Sequence, residues 1–569
     1  MFQHNFDSRQ PFTRTRNHRL ILPVWLWAAL ALLWFGLLGY RALIHSDEGR
    51  YAEIAREFLV TGDWITPRLD GLRYFEKPPM QYWLTVIAYH LFGVNEAAAR
   101  LWTALAGFLT IVTTAFTARK LWGARAGAMT ALVSAGTTWL IANGHLLTLD
   151  MGLTFFLTVA LCAFLLAVQD GPSESARQRW MWLAWAAMAG AMLSKGLIGL
   201  IIPGGAFVFY SIATFPNRAI SRIQHWRVMR YLSGPLVFLL LAAPWFVAVS
   251  LRNPGFAYFF FIHEHFERFL THEAHREGPI WYFIPQLLGG LLPWTTLLPS
   301  AIRSGLAGDD GKRFGNTAFL LAWSGFVFVF FSVSGSKLPS YILPMFPALA
   351  MLLGRHLAQP GASLRWHLII PMVIWLALAI LAAGLPKHIH DVPVADLTDF
   401  ARAIQWAAAG YIVLTIAAFI SSSRFDAFMP TMLTTLASLV ALNIAMVGHD
   451  AYARLKTTRH IAPVLLPYLK PDTPVFSVRT YDQTLPFYLN RLVTIVDYQD
   501  ELEYGENSEP AKWMHSLDEF TTRWRNLHEG MAVMGPDTFK MLQSEELPMK
   551  IVYQDSRRIV VIKAAVVKP

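Results

Sequence analysis

Charged residues are scarce in this sequence of 569 residues. Only 15% are Asp, Glu, Lys or Arg and 54% are hydrophobic, whereas soluble globular proteins carry about 25% charged residues. This shortage excludes an ordinary water-soluble chain. Apolar runs of roughly 17–25 residues, the length needed to cross a bilayer, follow one another from Ile21 to Val447. The composition therefore predicts an all-α polytopic membrane protein.

Cysteine is almost absent. The single cysteine, Cys162, lies in an apolar run and has no second cysteine with which to form a disulfide within the chain. We interpret it as an inert apolar side chain in a helix. The cysteine content consequently says little about the compartments that the loops face.

The net charge of +10 does not indicate nucleic-acid binding. Much of it lies beside the apolar runs, where Lys and Arg determine topology and contact anionic lipids. The first 20 residues contain four Arg, and an apolar run without a small-residue cleavage site follows them. We therefore expect an uncleaved first helix.

We predict about 13 transmembrane helices from the length of the apolar runs. They lie near residues 21–40, 97–118, 126–143, 151–169, 180–194, 197–214, 231–250, 280–302, 315–333, 340–354, 366–384, 400–421 and 428–448. The apolar segment 81–93 is too short to span, so we expect it in or near the membrane interface.

The distribution of Lys and Arg then orients the chain. With this set of helices, the N-terminal tail and every connection on its side carry basic residues, and the positive-inside rule assigns that side to the cytoplasm. The other side, the periplasm, receives loops 41–96 and 251–279 and everything after the last helix. We expect a multi-pass protein of the bacterial inner membrane with a transmembrane domain over residues 1–448.

The composition changes from residue 449 onwards. Short β-rich runs (PVFSVRT, LVTIVDY, MAVMG, MKIVY and RRIVVIK) alternate with polar segments such as SLDEFTTRWRNLHEG. This alternation is typical of a small soluble α/β domain. We predict such a domain over residues 449–569, on the periplasmic side.

Acidic, basic and aromatic residues are concentrated in the first periplasmic loop. Its run DEGRYAEIAREFL has the apolar spacing of an amphipathic helix, which we expect to lie on the membrane surface. Asp47 and Glu48 alone would also suit the N-terminus of such a helix.

Lysine as a point charge and arginine as a two-donor clamp both bind phosphate. With FEKPP about 30 residues further on, the loop predicts a pocket for a sugar phosphate.

Several motifs resemble integral-membrane glycosyltransferases of the GT-C type, which use polyprenyl-phosphate sugars. They are DE.RYAE.ARE, FEKPP..YWL and LFGV.E.AAR, followed by NGHLLTLDMGLTFFL, AMLSKGLIGL and SKLPSYILPMFPALA. Within that class, EKPP and KLPSYILP favour the lipid A 4-amino-4-deoxy-L-arabinose transferases (ArnT). The acid after the first helix is shared with protein O-mannosyltransferases, so it indicates only the class. The resemblance extends from about Asp47 to Ala350.

The resemblance implies inverting transfer of aminoarabinose from undecaprenyl phosphate to a phosphate of lipid A, at the periplasmic face of the inner membrane. Such a modification gives resistance to cationic antimicrobial peptides such as polymyxin. Two alternatives stay open: a polyprenyl-phosphate-sugar transferase acting on a protein or another glycan, and a lipid or sugar transporter. The transporter is disfavoured because the ionisable residues cluster in outer loops and not in broken helices at mid-membrane.

We expect the functional side chains to converge at the periplasmic face. The catalytic candidates are Asp47 and Asp150. The candidates for binding the donor and its phosphate are Arg50, Tyr51, Tyr74, Lys77, Lys195, Arg268, Lys337 and Tyr341. Simpler interpretations exist for two of them, namely helix capping for Asp150 and snorkelling to the interface for Lys195.

Asp47 has several roles open to it. A phosphate acceptor already carries about −1.5 to −2 charge near neutral pH, so it hardly needs a base. Asp47 would then orient the acceptor, stabilise positive charge at the sugar or pair with the sugar ammonium. With a hydroxyl acceptor it would be a general base.

Loop 251–279 contains four histidines among four glutamates. The spacing is not an HExxH motif, and scattered surface histidines explain it better than a metal site does. The resemblance also allows a divalent metal such as zinc, bound by Glu76 and His265 from the two loops. No metal is strictly required, since Lys and Arg supply positive charge. The expected partners are the lipid-linked donor, lipid A and the bilayer, with no nucleic acid.

Overall fold

The computed structural model describes residues 23–169, 171–213, 233–267, 278–309 and 314–563. In the membrane region the α-helices are Val24–Phe35, Asp47–Thr61, Met80–Phe92, Glu96–Trp122, Ala124–Gly136, Thr138–Gly144, Leu149–Ala167, Glu174–Lys195, Ile198–Ala213, Ser233–Arg252, Phe256–Tyr258, Phe283–Gly290, Leu298–Ala307, Asn316–Val333, Phe346–Leu357, Ile369–Ala382, Leu385–His388, Val394–Ser421 and Phe428–Tyr452. A π-helical segment covers Phe259–Glu267, and 3₁₀ turns cover Thr295–Leu297, Pro339–Met345, Arg365–Leu368 and Ala453–Lys456.

Each predicted transmembrane segment contains helix within the described residues. Seven of those helices are long and apolar enough to cross a membrane: Glu96–Trp122, Leu149–Ala167, Ser233–Arg252, Asn316–Val333, Arg365–Ala382, Val394–Ser421 and Phe428–Lys456. Other predicted segments are shorter or interrupted. The segment 126–143, for example, divides at Thr137, whose backbone is extended. The polytopic α-helical fold is confirmed, whereas the count of about 13 spans stays a prediction.

The helices pack through small residues and expose apolar side chains at the periphery. A Cβ added at Gly354 would lie 2.6 Å from the backbone nitrogen of Thr130, so Phe346–Leu357 can approach Ala124–Gly136 only because that atom is missing. Such close packing over small residues is typical of membrane helices. Along Arg365–Ala382, Val373 and Leu381 are 57% and 70% exposed. Apolar side chains with this exposure suit contact with lipid tails.

The first-loop helix, Asp47–Thr61, differs from its prediction. Every residue from Glu48 to Phe58 is buried, including Arg50, Glu53 and Glu57. The helix packs against Met80–Phe92 on one side and against Thr484–Leu489 on another. A position on the membrane surface is therefore wrong, because protein covers both its apolar and its charged faces.

The segment that precedes Met80–Phe92 forms a short hairpin. Strands β1 (Arg68–Leu69) and β2 (Leu72–Arg73) pair antiparallel around Asp70 and Gly71, both with positive φ. A two-residue turn with positive φ at both positions matches the right-handed twist of the strands. Met80–Phe92 has 13 residues and is too short to span, as predicted, and its interfacial position stays a prediction.

The C-terminal part forms the predicted α/β domain. Strands β3 (Val475–Val478), β4 (Thr494–Val496), β5 (Met531–Met534), β6 (Met549–Gln554) and β7 (Ile559–Lys563) make one sheet in the order β4-β3-β5-β7-β6. All five β-rich runs are thus strands. The parallel pairs are β3 with β4 and β3 with β5, while β7 runs antiparallel to both neighbours. The helices of the domain are Ala462–Leu465, Thr484–Leu489, Glu503–Ser508, Leu517–Asn526 and Pro536–Ser544, with 3₁₀ turns at Leu466–Tyr468 and Pro510–Lys512.

The domain boundary at residue 449 stays a prediction. Helix Phe428–Tyr452 continues past that position before the short turn Ala453–Lys456. The apolar core of the domain lies on the sheet, where Phe476, Phe520 and Trp524 are fully buried and in ring contact.

Candidate active site

A cavity of about 400 Å³ lies where the first loop meets the ends of several membrane helices. Its charged and hydroxyl-bearing residues are Asp47, Arg50, Tyr51, Glu76, Lys77, Thr148, Asp150, Lys195, Glu264, Ser334, Ser336, Ser340 and Tyr341. Its apolar residues are Leu149, Leu153, Leu197, Ile198, Ile201, Phe330, Phe331 and Leu338. A cavity with both kinds of wall suits a ligand with a polar head and an apolar tail.

Asp150 and Lys195 form an ion pair on one wall of the cavity. Asp150 lies in the first turn of Leu149–Ala167, and Lys195 ends Glu174–Lys195. Their side chains are joined by a short contact, and the Ser340 hydroxyl donates to the other carboxylate oxygen at 2.8 Å. The Lys195 ammonium also lies 4.6 Å from the centre of the Tyr341 ring. Lys195 thus points into the protein and does not snorkel, and the Asp150 carboxylate is engaged by side chains from two other elements.

Lys77 lies between two carboxylates. Its ammonium is 3.0 Å from a Glu264 oxygen and 3.8 Å from a Glu76 oxygen, and it donates to the Glu76 carbonyl at 2.8 Å. Tyr74 is buried beside them and donates to the Glu76 carboxylate at 3.1 Å. The cation is therefore fixed by the loop that carries FEKPP and by the π-helical segment Phe259–Glu267.

Arg50 extends from the first-loop helix into the cavity. One of its terminal nitrogens lies 3.4 Å from Asp47 and donates to the Tyr74 hydroxyl at 3.5 Å. The other forms an ion pair with Glu501 of the C-terminal domain. The Asp47 side chain is 47% exposed and that of Arg50 is 9% exposed. Asp47 is thus the carboxylate of this site most accessible to a ligand.

Glu48, the neighbour of Asp47, has a structural role. Its carboxylate accepts hydrogen bonds from Arg100 at 2.8 and 2.7 Å and from the backbone N–H of Leu147 at 3.0 Å. Burial alone would raise the pKa of Glu48, but Arg100, with help from Arg41, lowers it to about 2. The ionised carboxylate joins the first loop to Glu96–Trp122 and to the chain before Leu149–Ala167.

The remaining predicted residues lie elsewhere. Lys337 is buried and donates to the carbonyl of Ser334 at 2.6 Å, and it is not among the residues that line the cavity. Arg268 lies outside the described residues, as does the side chain of His265. Within the described part of the chain, no three His, Cys, Asp or Glu come together as metal ligands. A zinc site at Glu76 and His265 therefore stays a prediction.

Comparison with known proteins identifies the family. Residues 461–563 match the model of the aminoarabinose transferase C-terminal domain, and residues 21–260 match that of dolichyl-phosphate-mannose-protein mannosyltransferase. The undecaprenyl phosphate-alpha-4-amino-4-deoxy-L-arabinose arabinosyl transferase of Erwinia tasmaniensis is 32% identical over 88% of this chain and 90% of its own. The chain belongs to this family of arabinosyl transferases.

Solved structures agree with the assignment. The crystal structure of ArnT from Cupriavidus metallidurans bound to undecaprenyl phosphate has a TM-score of 0.89 and 35% sequence identity, covering 96% of this chain and 98% of that one. Its apo form has a TM-score of 0.87. The GT-C resemblance inferred from the motifs is confirmed, and so is the glycosyltransferase class.

Some residues of this arabinosyl transferase site were not predicted from the sequence. Glu264 was noted only as one of several glutamates among histidines, and Ser340 only as a letter of SKLPSYILP. Glu501 lies in the C-terminal domain, 451 positions after its partner Arg50. A signal existed for Ser340, because its motif was already part of the resemblance. The sequence contains no signal for Glu501.

A second, almost wholly apolar cavity of about 370 Å³ lies deeper in the membrane region of the transferase. Leu200, Pro203 and Phe207 line it, whereas Ile198 and Ile201 of the same helix line the first cavity. The two cavities are therefore neighbours along Ile198–Ala213.

Proposed function

We propose that the protein transfers 4-amino-4-deoxy-L-arabinose from undecaprenyl phosphate to a phosphate of lipid A, with inversion at the anomeric carbon. The observation that carries the proposal is the amphiphilic cavity in which Arg50, Lys77 and Lys195 meet Asp47 and Asp150. Membership of the arabinosyl transferase family supplies the donor and the sugar. The lipid A acceptor and the resulting peptide resistance follow from the same family.

The cations of the cavity stabilise the departing prenyl phosphate. Charge develops on the leaving oxygen as the bond to the anomeric carbon lengthens, and donors already in position stabilise that charge without reorganising. Lys77 and Arg50 meet this requirement, since both side chains are held by hydrogen bonds or ion pairs. Arg268 is proposed as a further phosphate ligand from the second periplasmic loop.

Asp47 acts on the sugar and the acceptor. The anomeric carbon becomes oxocarbenium-like, and the acceptor oxygen must approach from the face opposite the leaving group. A half-exposed carboxylate beside the phosphate ligands can stabilise that positive charge or orient the acceptor. Asp150 contributes indirectly, because it holds Lys195 at the cavity wall.

The apolar cavity suits the tail of the donor. Its lining is almost free of polar groups, and it adjoins the charged cavity along one helix. We place the phosphate among Arg50, Lys77 and Lys195 and the proximal prenyl units beside Pro203 and Phe207. This arrangement fixes the sugar–phosphate bond at the membrane boundary.

We also propose a metal ion at Glu76 and His265, in addition to the positive charges of Arg50, Lys77 and Lys195. Glu76 lines the cavity, and the Lys77 ammonium already lies 3.8 Å from its carboxylate. Zinc content of the purified protein, measured for wild type and Glu76→Gln, tests the site. Equal zinc in both would reject it.

We also propose that the N-terminus is cytoplasmic and that the C-terminal domain is periplasmic. The basic connections on the other side support this orientation. Asp537 is fully exposed in the C-terminal domain, so Asp537→Cys in a Cys162→Ala background provides one reactive thiol. A membrane-impermeant maleimide should label this thiol in intact spheroplasts. Labelling only after lysis would show that the C-terminal domain is cytoplasmic, contrary to the proposal.

Mass spectrometry of lipid A tests the function in cells. A strain that makes the donor but lacks its own transferase should gain an aminopentose on lipid A phosphate when it expresses this chain. Unmodified lipid A together with new sugar on a protein or another glycan would favour the alternative transferase. Unmodified lipid A with no new glycan would contradict sugar transfer.

A further inference from the structure

Building on the function proposed above, we infer that Glu501 of the C-terminal domain is a positioning residue for sugar transfer. It holds the Arg50 guanidinium in the orientation that the donor phosphate requires. The C-terminal domain is then part of the active site, although Glu501 lies 451 positions after Arg50 in sequence.

The two terminal nitrogens of Arg50 contact different carboxylates. The nitrogen Nη2 pairs with a carboxylate oxygen of Glu501, and Nη1 faces Asp47 at 3.4 Å. Both Arg50 and Glu501 have side chains that are only 9% exposed. Arg50 lines the cavity, whereas Glu501 is not among the lining residues. Glu501 thus lies behind Arg50 and can act on substrate only through it.

Glu501 is itself fixed from the other side. Its second carboxylate oxygen accepts a hydrogen bond from the Gln483 amide at 2.8 Å, and Gln483 is buried. Gln483 lies against the first-loop helix at Gly49, where an added Cβ would come within 2.7 Å of the Gln483 carbonyl carbon. The absence of a side chain at Gly49 therefore lets Gln483, which holds Glu501, approach the first-loop helix next to Arg50.

Charge gives a reason for this arrangement. A guanidinium removed from water needs a counter-charge close by. Without Glu501, the described carboxylate nearest to Arg50 would be Asp47, the residue proposed to act on sugar and acceptor. Pairing Arg50 with Glu501 leaves Asp47 available to the substrate and keeps Nη1 directed toward the cavity.

The pair also makes transfer depend on pH near neutrality. Burial raises the pKa of Glu501 to about 7, even though Arg50 and the hydrogen bond from Gln483 act in the opposite direction. As pH falls through that value, Glu501 takes up a proton and Arg50 loses its counter-charge. The titratable and charged groups around the pair are Asp47, Tyr51, Tyr74, Glu76, Tyr82, Tyr481, Tyr498 and Asp500.

The test is Glu501→Gln in the purified full-length protein. The variant keeps the shape and removes the charge, so we expect kcat to fall at least tenfold, with KM for the donor changed less than threefold. Wild type should lose activity as pH falls below about 7, and this step should be missing from the variant's profile, each profile being scaled to its own maximum. That scaling makes the comparison independent of the folded fraction.

Glu509→Gln is the matched control. Glu509 pairs with Arg68 at 3.0 Å and with Arg73 at 3.8 Å, so it also ties the C-terminal domain to the first loop, but neither Glu509 nor these two arginines line the cavity. Its activity should stay within twofold of wild type. Equal losses in the two variants, or an unchanged pH profile in Glu501→Gln, would overturn the inference. An inactive wild type would instead contradict the proposed function on which it rests.

Discussion

Single residues of the first loop divide between chemistry and structure. Asp47 and Glu48 are adjacent in sequence, yet Asp47 is half-exposed in the cavity and Glu48 is 2% exposed beneath it. Their motif alone does not distinguish them. Their exposure differs because Arg100, 52 positions further along the chain, donates hydrogen bonds to both carboxylate oxygens of Glu48.

Removing the charge of Glu48 should destabilise the protein. Glu48→Gln leaves Arg100 buried without its counter-charge, and breaking a buried pair typically costs roughly 3–5 kcal/mol. We expect a clear drop in Tm in detergent at pH 7. The pKa of Glu48 is lowered on folding, so its contribution is present above about pH 4.5 and lost as pH falls toward 2.

Asp399→Asn serves as the control for that measurement. Asp399 forms an exposed pair with Arg402, at 52% and 67% exposure, and such pairs contribute roughly 0–1 kcal/mol. Its Tm should match wild type. A Glu48→Gln variant as stable as this control would contradict the structural role of Glu48.

The sequence predicted the cavity residues better than it predicted their partners. Asp47, Arg50, Lys77, Asp150 and Lys195 all line one cavity, because charged residues beside apolar spans are costly unless they face a polar space. The partners Glu264, Ser340 and Glu501 come from distant elements, and no local pattern connects them. The Lys337 ammonium donates a hydrogen bond to the Ser334 carbonyl in its own turn. This contact depends on the backbone geometry of the turn, which the sequence pattern does not reveal.

At the scale of elements, the first-loop helix shows the limit of periodicity. Its apolar spacing correctly predicted a helix but placed that helix on the membrane surface, with its charged face directed away from the lipid. That face instead meets the hairpin of β1 and β2 and the C-terminal domain. Arg56 pairs with Glu53 at 2.7 Å and donates to Asn490 at 3.1 Å, and Glu57 accepts from the backbone N–H of Gly71 at 3.0 Å.

This interface should be weaker at alkaline pH. Burial, followed by the charge of Glu53, raises the pKa of Glu57 to about 8. A carboxyl whose pKa is raised on folding stabilises the fold below its unfolded pKa of about 4.5, and that contribution is lost as pH rises to about 8. Glu57→Gln should therefore raise Tm at pH 8.5 relative to wild type and leave it nearly unchanged at pH 5.

The control for this prediction is Glu503→Gln. Glu503 is exposed in the C-terminal domain, so its variant should follow wild type at both pH values. A Glu57→Gln variant whose Tm falls equally at pH 5 and pH 8.5 would show that the ionised carboxylate stabilises the interface, contrary to this account.

At the scale of the whole molecule, composition predicted the order of parts and little of their assembly. The shift from apolar runs to short β-rich runs correctly indicated a helical membrane region followed by an α/β domain. How that domain docks depends on small features such as Gly49 and on buried pairs such as Arg50 with Glu501. Neither hydropathy nor spacing encodes such contacts, so the sharing of one active site between the two parts was not predicted.

Transfer by the purified protein tests the central claim most directly. Wild type, Asp47→Asn and the control Asp399→Asn would be given lipid A with either undecaprenyl-phosphate aminoarabinose or a polyprenyl-phosphate hexose as donor. We expect wild type and the control to move only the aminopentose onto lipid A phosphate. Asp47→Asn should lose at least about 100-fold in rate while still binding undecaprenyl phosphate. Equal use of the hexose donor, or undiminished transfer by Asp47→Asn, would contradict the account.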